Sequence, residues 1–233
     1  MSTAGLQVRQ LQKSFGGLIA INGISFECRP GEITGIIGVN GAGKSTLLNC
    51  ISGLYPVTSG EVVFRNEAIQ NKPTDHINRL GVGRTFQVPR LFKSLTLGQN
   101  IVIGETGPTR EDDVRILLEK VNLFRLKDNL ANELSGGQQK LIELLRIEYH
   151  SSNLILLDEP FAGVHPDLIR VFLDIIKELR NRGKTVLLIS HDLTSIYELS
   201  DNILALNQGE IIAQGDADSI QNSPAVIEAY LGE

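Results

Sequence analysis

Short apolar runs separated by glycine-rich turns predict β-strands in the first third of the chain. LQVRQL from Leu6, ISFEC (24–28) and EVVF (61–64) mix alternating polar and apolar positions with β-branched residues, which predicts an antiparallel layer. The run ITGII (33–37) has no polar position except Thr34 and predicts a buried strand. Because a glycine-rich turn and STLLNCIS follow it, this strand is expected to lead into a helix.

The last third of the chain repeats the order of strand and helix. LILL (154–157) and VLLIS from Val186 predict two more buried strands, and the segment between them has Pro166 at its start and Gly183 at its end, as helices often do. The apolar residues of this segment recur at helical spacing: Leu168, Phe172, Ile175, Ile176 and Leu179. A strand, a helix and a strand in this order predict a parallel sheet covered by helices.

The middle of the chain, residues 90–150, contains no comparable buried strand. Its segments 111–123 and 137–149 have apolar residues at helical spacing and predict a helical lobe. The expected fold is therefore α/β, with a mostly parallel sheet, an N-terminal antiparallel β layer and an inserted helical lobe.

The C-terminal region predicts a hairpin and a last helix. NQGE (207–210) lies between two apolar runs, which is typical of a tight β-turn. In SPAVIEAYLG, Ser223 is expected to cap a helix that begins at Pro224 and stops at Gly232.

Composition and charge exclude several classes of protein. The 233 residues are 42% hydrophobic, enough for a sizeable core, and the net charge of −5 provides no basic stripe for nucleic acid. The two cysteines, Cys28 and Cys50, lie in strand-like and helix-like contexts, so neither a disulfide framework nor a metal cluster is expected and a reducing cytoplasm fits. The N-terminus lacks an apolar signal core, and no apolar run approaches the roughly 20 residues that span a bilayer.

The sequence GVNGAGKST (38–46) matches G-x-x-x-x-G-K-[ST] between a predicted strand and a predicted helix, the context of a P-loop. Its backbone N–H groups would surround phosphate oxygens, Lys44 would reach the β and γ phosphates, and Ser45 would ligate Mg²⁺. The alternatives are a glycine-rich turn without a ligand and a dinucleotide-binding turn, whose G-x-G-x-x-G spacing is absent. The residues predicted to bind ATP here are Gly38, Asn40, Gly41, Ala42, Gly43, Lys44, Ser45 and Thr46.

Two adjacent carboxylates end the predicted strand in LILLDEP. Asp158 would hold Mg²⁺, and Glu159 would orient and deprotonate the attacking water. Alone, such a pair is also consistent with a strand that ends in two solvated acids. After a P-loop, it predicts the second half of a nucleotide-hydrolysing site.

LSGGQ has two compatible interpretations. Ser135 and Gln138 form the S-x-x-Q pattern of a helix-capping box. The same helix N-terminus, with two glycines, can also bind an anion through its free N–H groups. The residues concerned are Ser135, Gly136, Gly137 and Gln138.

The P-loop, LSGGQ, LILLDE and the sequence Ser-His-Asp (190–192), in this order, resemble the nucleotide-binding subunits of ABC transporters over essentially the whole chain. The resemblance implies that Ser135 and Gly137 act on the γ-phosphate held by another subunit. It implies that His191 contacts the γ-phosphate and steadies the water, and that Gln87 lies near Mg²⁺ at the hinge of the helical lobe. Phe15 would stack on adenine, although a core position is the alternative for this residue.

The resemblance also implies an organisation and a set of partners. The chain would be one domain, with residues 1–89 and 151–233 forming a P-loop NTPase core and 90–150 the helical lobe that carries LSGGQ. It would use ATP and Mg²⁺ and pair head to tail with a second ABC ATPase subunit. Membrane permease subunits would hold it at the inner, cytoplasmic face of the cell membrane, and no nucleic acid is expected. The implied roles are catalytic for Glu159, His191, Gln87 and Lys44, and metal-binding for Ser45, Gln87 and Asp158.

RTFQVPRLFKSLTLGQNI (84–101) and the C-terminal sequence resemble the ATP-binding proteins of branched-chain amino acid importers. Urea importer and lipopolysaccharide exporter ATPases have similar endings, and a soluble ATPase of iron–sulfur assembly is another alternative. The sequence NLANE before LSGGQ lacks the E-R-G-like run of many fused exporters, which favours an importer. The substrate and the choice between homodimer and heterodimer stay open.

Two residues depart from the family pattern. His165 occupies a position where many relatives carry Asp, in the loop expected to link the two sites, so communication between the sites is expected to differ. Lys140 stands where Arg is frequent, and it is expected on an exposed helix face away from the catalytic residues.

Overall fold

The computed structural model describes residues 5–105 and 107–231. Its strands are β1 Leu6–Phe15, β2 Leu18–Cys28, β3 Ile33–Ile37, β4 Ser59–Phe64, β5 Glu67–Ala68, β6 Val82–Arg84, β7 Leu154–Asp158, β8 Thr185–Ile189, β9 Asn202–Asn207 and β10 Glu210–Gly215. Its α-helices are α1 Lys44–Ile51, α2 Thr74–Arg79, α3 Leu97–Val102, α4 Glu111–Lys120, α5 Gly136–Tyr149, α6 Pro166–Asn181, α7 Leu193–Leu199, α8 Ala217–Gln221 and α9 Pro224–Leu231. These elements form the mixed α/β fold predicted from the sequence.

The N-terminal layer is an antiparallel sheet in the order β2-β1-β4-β5, as predicted. Leu6 pairs with Cys28 on one side and with Phe64 on the other. The strands β1 and β2 are longer than the apolar runs that predicted them, because each extends into a mostly exposed segment on either side of the turn at Gly16. In those segments the backbone pairing, rather than burial of alternate side chains, maintains the strand.

The second sheet has the order β10-β9-β3-β8-β7-β6 and is parallel except for β10. Every residue of β3, β7 and β8 is buried, which explains their nearly continuous apolar sequences. The predicted hairpin joins β9 and β10 through Gln208 and Gly209, both with positive φ (46° and 81°), as a tight two-residue turn requires. Because the carboxyl ends of parallel neighbours meet at one edge, the segments after β3, β7 and β8 lie together.

Helices α3, α4 and α5 lie between β6 and β7 in the chain, and the described residues between 90 and 150 contain no strand. Helix α4 ends at Lys120 instead of extending to Leu123, and α5 begins at Gly136, close to the predicted bounds. Their apolar faces join the core under the parallel sheet. The fully buried Asn100 holds the preceding loop, since its amide donates to the backbone oxygens of Phe92, Leu95 and Thr96 at 3.0–3.2 Å.

The predicted ends of α6 and α9 agree with the structure where it describes them. Pro166 is the first residue of α6, and Gly183 (φ 78°) follows its end, with its N–H donating to the oxygen of Arg180 at 2.8 Å. Helix α9 begins at Pro224 as predicted. Its predicted stop, Gly232, lies outside the described residues. None of the helices in the described part of the chain is long and apolar enough to span a membrane.

Candidate nucleotide-binding site

The loop between β3 and α1 has the backbone that its glycines predicted. Gly38, Gly41 and Gly43 have φ values of 148°, 80° and 103°, which side-chain-bearing residues rarely adopt. A Cβ at Gly43 would lie 2.5 Å from the oxygen of Ala20, so the loop packs too closely for any other residue. Gly43 is also the residue before α1 and has no side chain to accept from its first N–H groups. The start of α1 therefore fits a phosphate group.

Lys44 folds back over this loop. Its Nζ donates to the backbone oxygens of Gly38 and Val39, the latter at 2.9 Å. Asn40 and Gly41 are exposed at the tip of the loop, whereas Ala42 is buried and anchors it. The predicted phosphate-binding residues thus form one turn, with a cation held at its centre.

Ser45 and Asp158 meet at the edge of the parallel sheet. The Ser45 hydroxyl donates to Asp158 Oδ1 at 3.4 Å, and Arg84 donates to Oδ2 at 3.1 Å. Arg84 and Asp158 are both buried, and Arg84 also donates to the Ser52 hydroxyl at 2.6 Å. Burial lowers the pKa of Arg84, while the facing carboxylate of Asp158 opposes that shift. A carboxylate and a hydroxyl oxygen at this position fit Mg²⁺, which prefers oxygen ligands.

Glu159 and His191 follow neighbouring strands and are in contact. The backbone N–H of Glu159 donates to the oxygen of Ile189 at 2.9 Å, which places the two chain segments side by side. The carboxylate Oε2 of Glu159 accepts from the backbone N–H of His191 at 3.2 Å and lies 2.9 Å from its Nδ1. Glu159 is buried, but the His191 ring is largely exposed. The structure therefore brings together the two residues predicted to act on water.

Gln87 lies on an exposed turn beyond β6, at the same sheet edge as Asp158. Two bonds anchor the start of this turn: Thr85 N–H donates to the oxygen of Leu156 at 2.9 Å, and the Thr85 hydroxyl accepts from Asp158 N–H at 3.3 Å. Glu143 of α5 holds the other side. Its carboxylate accepts from the N–H of Arg90 at 2.6 Å.

The LSGGQ turn begins α5 and has the predicted capping box. The Ser135 hydroxyl accepts from Gln138 N–H at 3.3 Å, and Gln138 Oε1 accepts from Ser135 N–H at 3.0 Å. Ser135 and Gly136 are exposed, and Gly136 has open space on its Cβ side. Gly137 packs instead on the segment after β7 (residues 159–168, which include the first residues of α6), where a Cβ would lie 3.1 Å from Leu168. The exposed part of this turn is available to a second chain.

Phe15 is not a core residue, because 43% of it is exposed. It lies at the end of β1, with its ring edge-to-face against Tyr55 at a centroid distance of 5.3 Å. Lys13 Nζ lies 4.5 Å from the centre of the ring. An exposed aromatic ring is consistent with the predicted stacking on a base.

The expectation for Lys140 was wrong. Its side chain is buried on the segment after β7, and Nζ donates to the backbone oxygens of Glu159 at 2.7 Å and Ala162 at 2.8 Å. The helix face of Lys140 is covered because α5 packs on that segment as well as on the core. His165, by contrast, is exposed and caps α6, where its Nδ1 accepts from Asp167 N–H at 3.4 Å.

Sequence reasoning missed three buried charged residues near the site: Arg84, Lys140 and Glu143. β6 has three residues, too few for a pattern that would place Arg84 in a sheet. Glu143 and Lys140 are polar positions in an amphipathic helix, where solvent exposure is the usual expectation.

Comparisons with known proteins identify the family of the chain. Residues 21–162 match the family model described as ABC transporter, and residues 210–233 match the model described as branched-chain amino acid ATP-binding cassette transporter. The high-affinity branched-chain amino acid transport ATP-binding protein LivG of Escherichia coli K12 is 35% identical over 254 residues, with 100% of both chains covered.

Two solved structures extend the comparison. An ATP-binding cassette of an ABC transporter in its ADP conformation has a TM-score of 0.88 and 35% identity, covering 100% of both chains. A dimeric ATP-binding cassette in a post-hydrolysis state, bound to ADP and phosphate, has a TM-score of 0.82 and 25% identity, covering 91% of this chain and 98% of that one.

The chain belongs to the ABC transporter family. It is an ATP-binding and ATP-hydrolysing subunit of such a transporter, homologous to the ATPases of branched-chain amino acid importers. These similarities do not favour the alternative assignments to a lipopolysaccharide exporter or to iron–sulfur assembly.

Proposed function

We propose that this subunit powers the import of branched-chain amino acids through membrane permeases that hold it at the inner face of the cell membrane. The observation that carries the proposal is the match of residues 210–233 to the model for branched-chain amino acid cassettes, added to full-length similarity to LivG. The ABC motifs alone are common to importers and exporters. The C-terminal segment supports the narrower assignment.

Three groups of residues have separate roles in the proposed site. Lys44 and the N–H groups at the start of α1 bind the β and γ phosphates of ATP. Ser45 and Asp158, with Gln87 nearby, would hold Mg²⁺, which neutralises phosphate charge when bound. Glu159 accepts the proton of the attacking water, and His191 lies beside it to contact the γ-phosphate.

A second ABC subunit would complete the site. Ser135 and Gly136 are exposed at the start of α5, where the helix N-terminus can meet a γ-phosphate held by another chain. The post-hydrolysis cassette structure, a dimer, supports this arrangement. The second subunit would be another copy or a sister ATPase.

Glu159→Gln tests the proposal in the assembled transporter. The amide retains the shape of the side chain but cannot accept the proton, so turnover is expected to fall by about 10²- to 10⁴-fold. ATP binding should persist, because the phosphates are held by Lys44 and the P-loop. ATP hydrolysis and uptake of labelled leucine are measured in vesicles that contain the permeases and are supplied with the binding protein.

The matched control is Glu228→Gln, the same chemical change on the exposed side of α9. It should hydrolyse ATP and import leucine like the parent. Near-parental hydrolysis by Glu159→Gln would contradict the role of Glu159. Hydrolysis without uptake of any branched-chain amino acid by the parent transporter would contradict the proposed substrate.

A further inference from the structure

Lys140 is a buried cation beside the proposed site, and none of the roles proposed above involves it. It lies in the second turn of α5, and only 6% of it is exposed. Its Nζ donates to the backbone oxygens of Glu159 at 2.7 Å and Ala162 at 2.8 Å. Burial lowers the pKa of Lys140, whereas the nearby carboxylates of Glu159, Glu143 and Asp158 raise it. Since burying a charge is costly unless it is paired and hydrogen-bonded, these carboxylates and the two bonds together favour the cation. Both bonds are made to the main chain that carries and follows Glu159.

The backbone of Glu159 is strained. Its φ of 50° is in the left-handed region, which is unfavourable for residues other than Gly, Asn or Asp. Such a conformation persists only where surrounding contacts enforce it. The contacts that hold it include the bond from Glu159 N–H to Ile189 O and those of the carboxylate with His191. The carbonyl oxygen of Glu159 accepts from Lys140 Nζ at 2.7 Å and, within its own turn, from Ala162 N–H at 3.3 Å.

Lys140 also belongs to the helix that begins with the LSGGQ turn. One turn earlier, Gly137 packs on the same segment, since a Cβ there would lie 3.5 Å from Val164. The start of α5 and the segment after β7 therefore meet at two points, Gly137 and Lys140. A displacement of α5 would pull on the carbonyl group of Glu159.

We propose that Lys140 is a positioning residue: it holds the strained backbone of Glu159 so that the carboxylate faces the attacking water, and it links that orientation to the position of the LSGGQ turn. The inference rests on the proposed role of Glu159. Lys140 has its hydrogen bonds on the segment after β7 and not on the P-loop. Its removal should therefore lower kcat and leave ATP affinity nearly unchanged.

Lys140→Met tests this step, because methionine fills a similar volume without the charge or the donors. A misplacement of a catalytic group by about 1 Å can cost about 10²-fold in rate, so kcat should fall by about 10- to 100-fold. The ATP dissociation constant should stay within about twofold of the parent value, on the same reasoning about positioning. Lys140→Arg keeps a cation with several donors and should restore most of kcat.

Two further variants provide a control and a milder substitution for this test. Lys177→Met removes a half-buried, ion-paired lysine from α6, beyond the segment after β7 in the chain, and should have parental kcat. Lys140→Gln retains a donor for one of the two carbonyl groups, so it should fold readily and show an intermediate kcat. Parental kcat in a folded Lys140→Gln or Lys140→Met protein would overturn the proposal.

A double-mutant cycle with Glu159→Gln separates positioning from general stability. In single-turnover hydrolysis, Lys140→Met should cost little once Glu159 has been replaced, because the group that it positions is absent. An equal loss in both backgrounds would show that Lys140 acts independently of Glu159 and would overturn the inference. Parental turnover by Glu159→Gln alone would instead contradict the role of Glu159 itself.

Discussion

Three buried ionisable side chains surround the hydrolytic edge of the sheet, and each uses its charge to fix a backbone or a partner. Arg84 holds the carboxylate of Asp158, and Lys140 holds the carbonyl group of Glu159. Glu143 accepts from the backbone N–H of Arg90 below the Gln87 turn. Charged groups buried in this way cost free energy that their hydrogen bonds only partly recover. Their arrangement favours a defined site geometry over maximum stability.

The titration of Glu143 should make the free energy of unfolding depend on pH. Burial raises the pKa of its carboxyl group above the ordinary value of 4.5, against the opposing bonds from Arg90 and the charge of Arg146. The folded protein therefore holds this proton more tightly than the unfolded chain does. The free energy of unfolding contributed by Glu143 should fall as pH rises above about 4.5 and through the raised pKa.

Glu143→Gln removes this titration. The unfolding free energy of the variant, relative to the parent, should rise between pH 4 and pH 7, as measured by urea denaturation at several pH values. Glu228→Gln, the same chemical change on the exposed side of α9, serves as the control. A constant difference between Glu143→Gln and the parent would show that folding does not raise the pKa of Glu143.

The buried charged residues also show which features of the site the sequence did not predict. Lys44, Asp158 and Glu159 were predicted because each belongs to a motif with a chemical reason for its spacing, and His191 was implied by the family resemblance. Lys140 was expected to be exposed because periodicity separates polar from apolar faces and cannot tell solvent from a covering loop. The strained φ of Glu159 likewise depends on tertiary contacts and has no local signal.

Elements with one dominant physical cause were predictable. β3, β7 and β8 are buried on both faces, so their apolar runs identify them, and the capping box of α5 is visible as S-x-x-Q. β6 and α2 were missed, because elements of three and six residues are too short to show an amphipathic pattern and depend on tertiary contacts for their stability. Leu91 and Phe92 illustrate a further limit, because the sequence alone does not distinguish an apolar side chain that packs on the core from one that is exposed.

The structure separates these two residues, and the difference bears on where the proposed permease would bind. Val88 and Phe92 are 75% and 54% exposed, whereas Leu91 packs against the core. Asn100 accepts from the backbone N–H of Phe92 at 2.8 Å and so holds the loop with the Phe92 ring outward. Exposed apolar side chains on a fixed backbone are suited to a protein partner.

Phe92→Asp should therefore uncouple the transporter. Transport should fall by more than about tenfold, as expected for loss of an aromatic contact worth about 2 kcal/mol, while basal ATPase activity stays within about twofold. Leucine uptake and ATP hydrolysis are measured in the same vesicles. Ile116→Asp changes an equally exposed apolar residue on α4 and should affect neither activity. Equal loss of both activities in Phe92→Asp would indicate a folding defect instead.

In the whole molecule, one edge of the parallel sheet carries one half of the proposed site. The other half, the LSGGQ turn, lies at the start of α5. Lys44, Asp158, Glu159 and His191 follow strands that end at one edge. The LSGGQ turn begins α5, packs through Gly137 on the segment after β7 and presents Ser135 to its surroundings. Under the proposed function, a chain built this way has both halves of a composite site and would need a second chain to join them.

The composite site predicts that specific ATPase activity rises with protein concentration. Loss of one preorganised donor to transition-state charge costs about 10²- to 10³-fold in rate, so an isolated subunit should be nearly inactive. Ser135→Arg should abolish turnover yet leave the ATP affinity of the monomer nearly unchanged. Lys44→Ala should weaken nucleotide binding itself, because its cation belongs to the phosphate loop.

Mixing the two inactive variants gives the sharpest form of this test. A pair made of one Ser135→Arg chain and one Lys44→Ala chain contains one intact site, formed by the P-loop of the first and the LSGGQ turn of the second. For a homodimer, random pairing of equal amounts would restore at most about a quarter of parental activity, since half of the dimers are mixed and each has one intact site of two. Full specific activity that persists on dilution of the parent into the monomeric range would contradict the model, because a self-sufficient site does not need Ser135 from another chain.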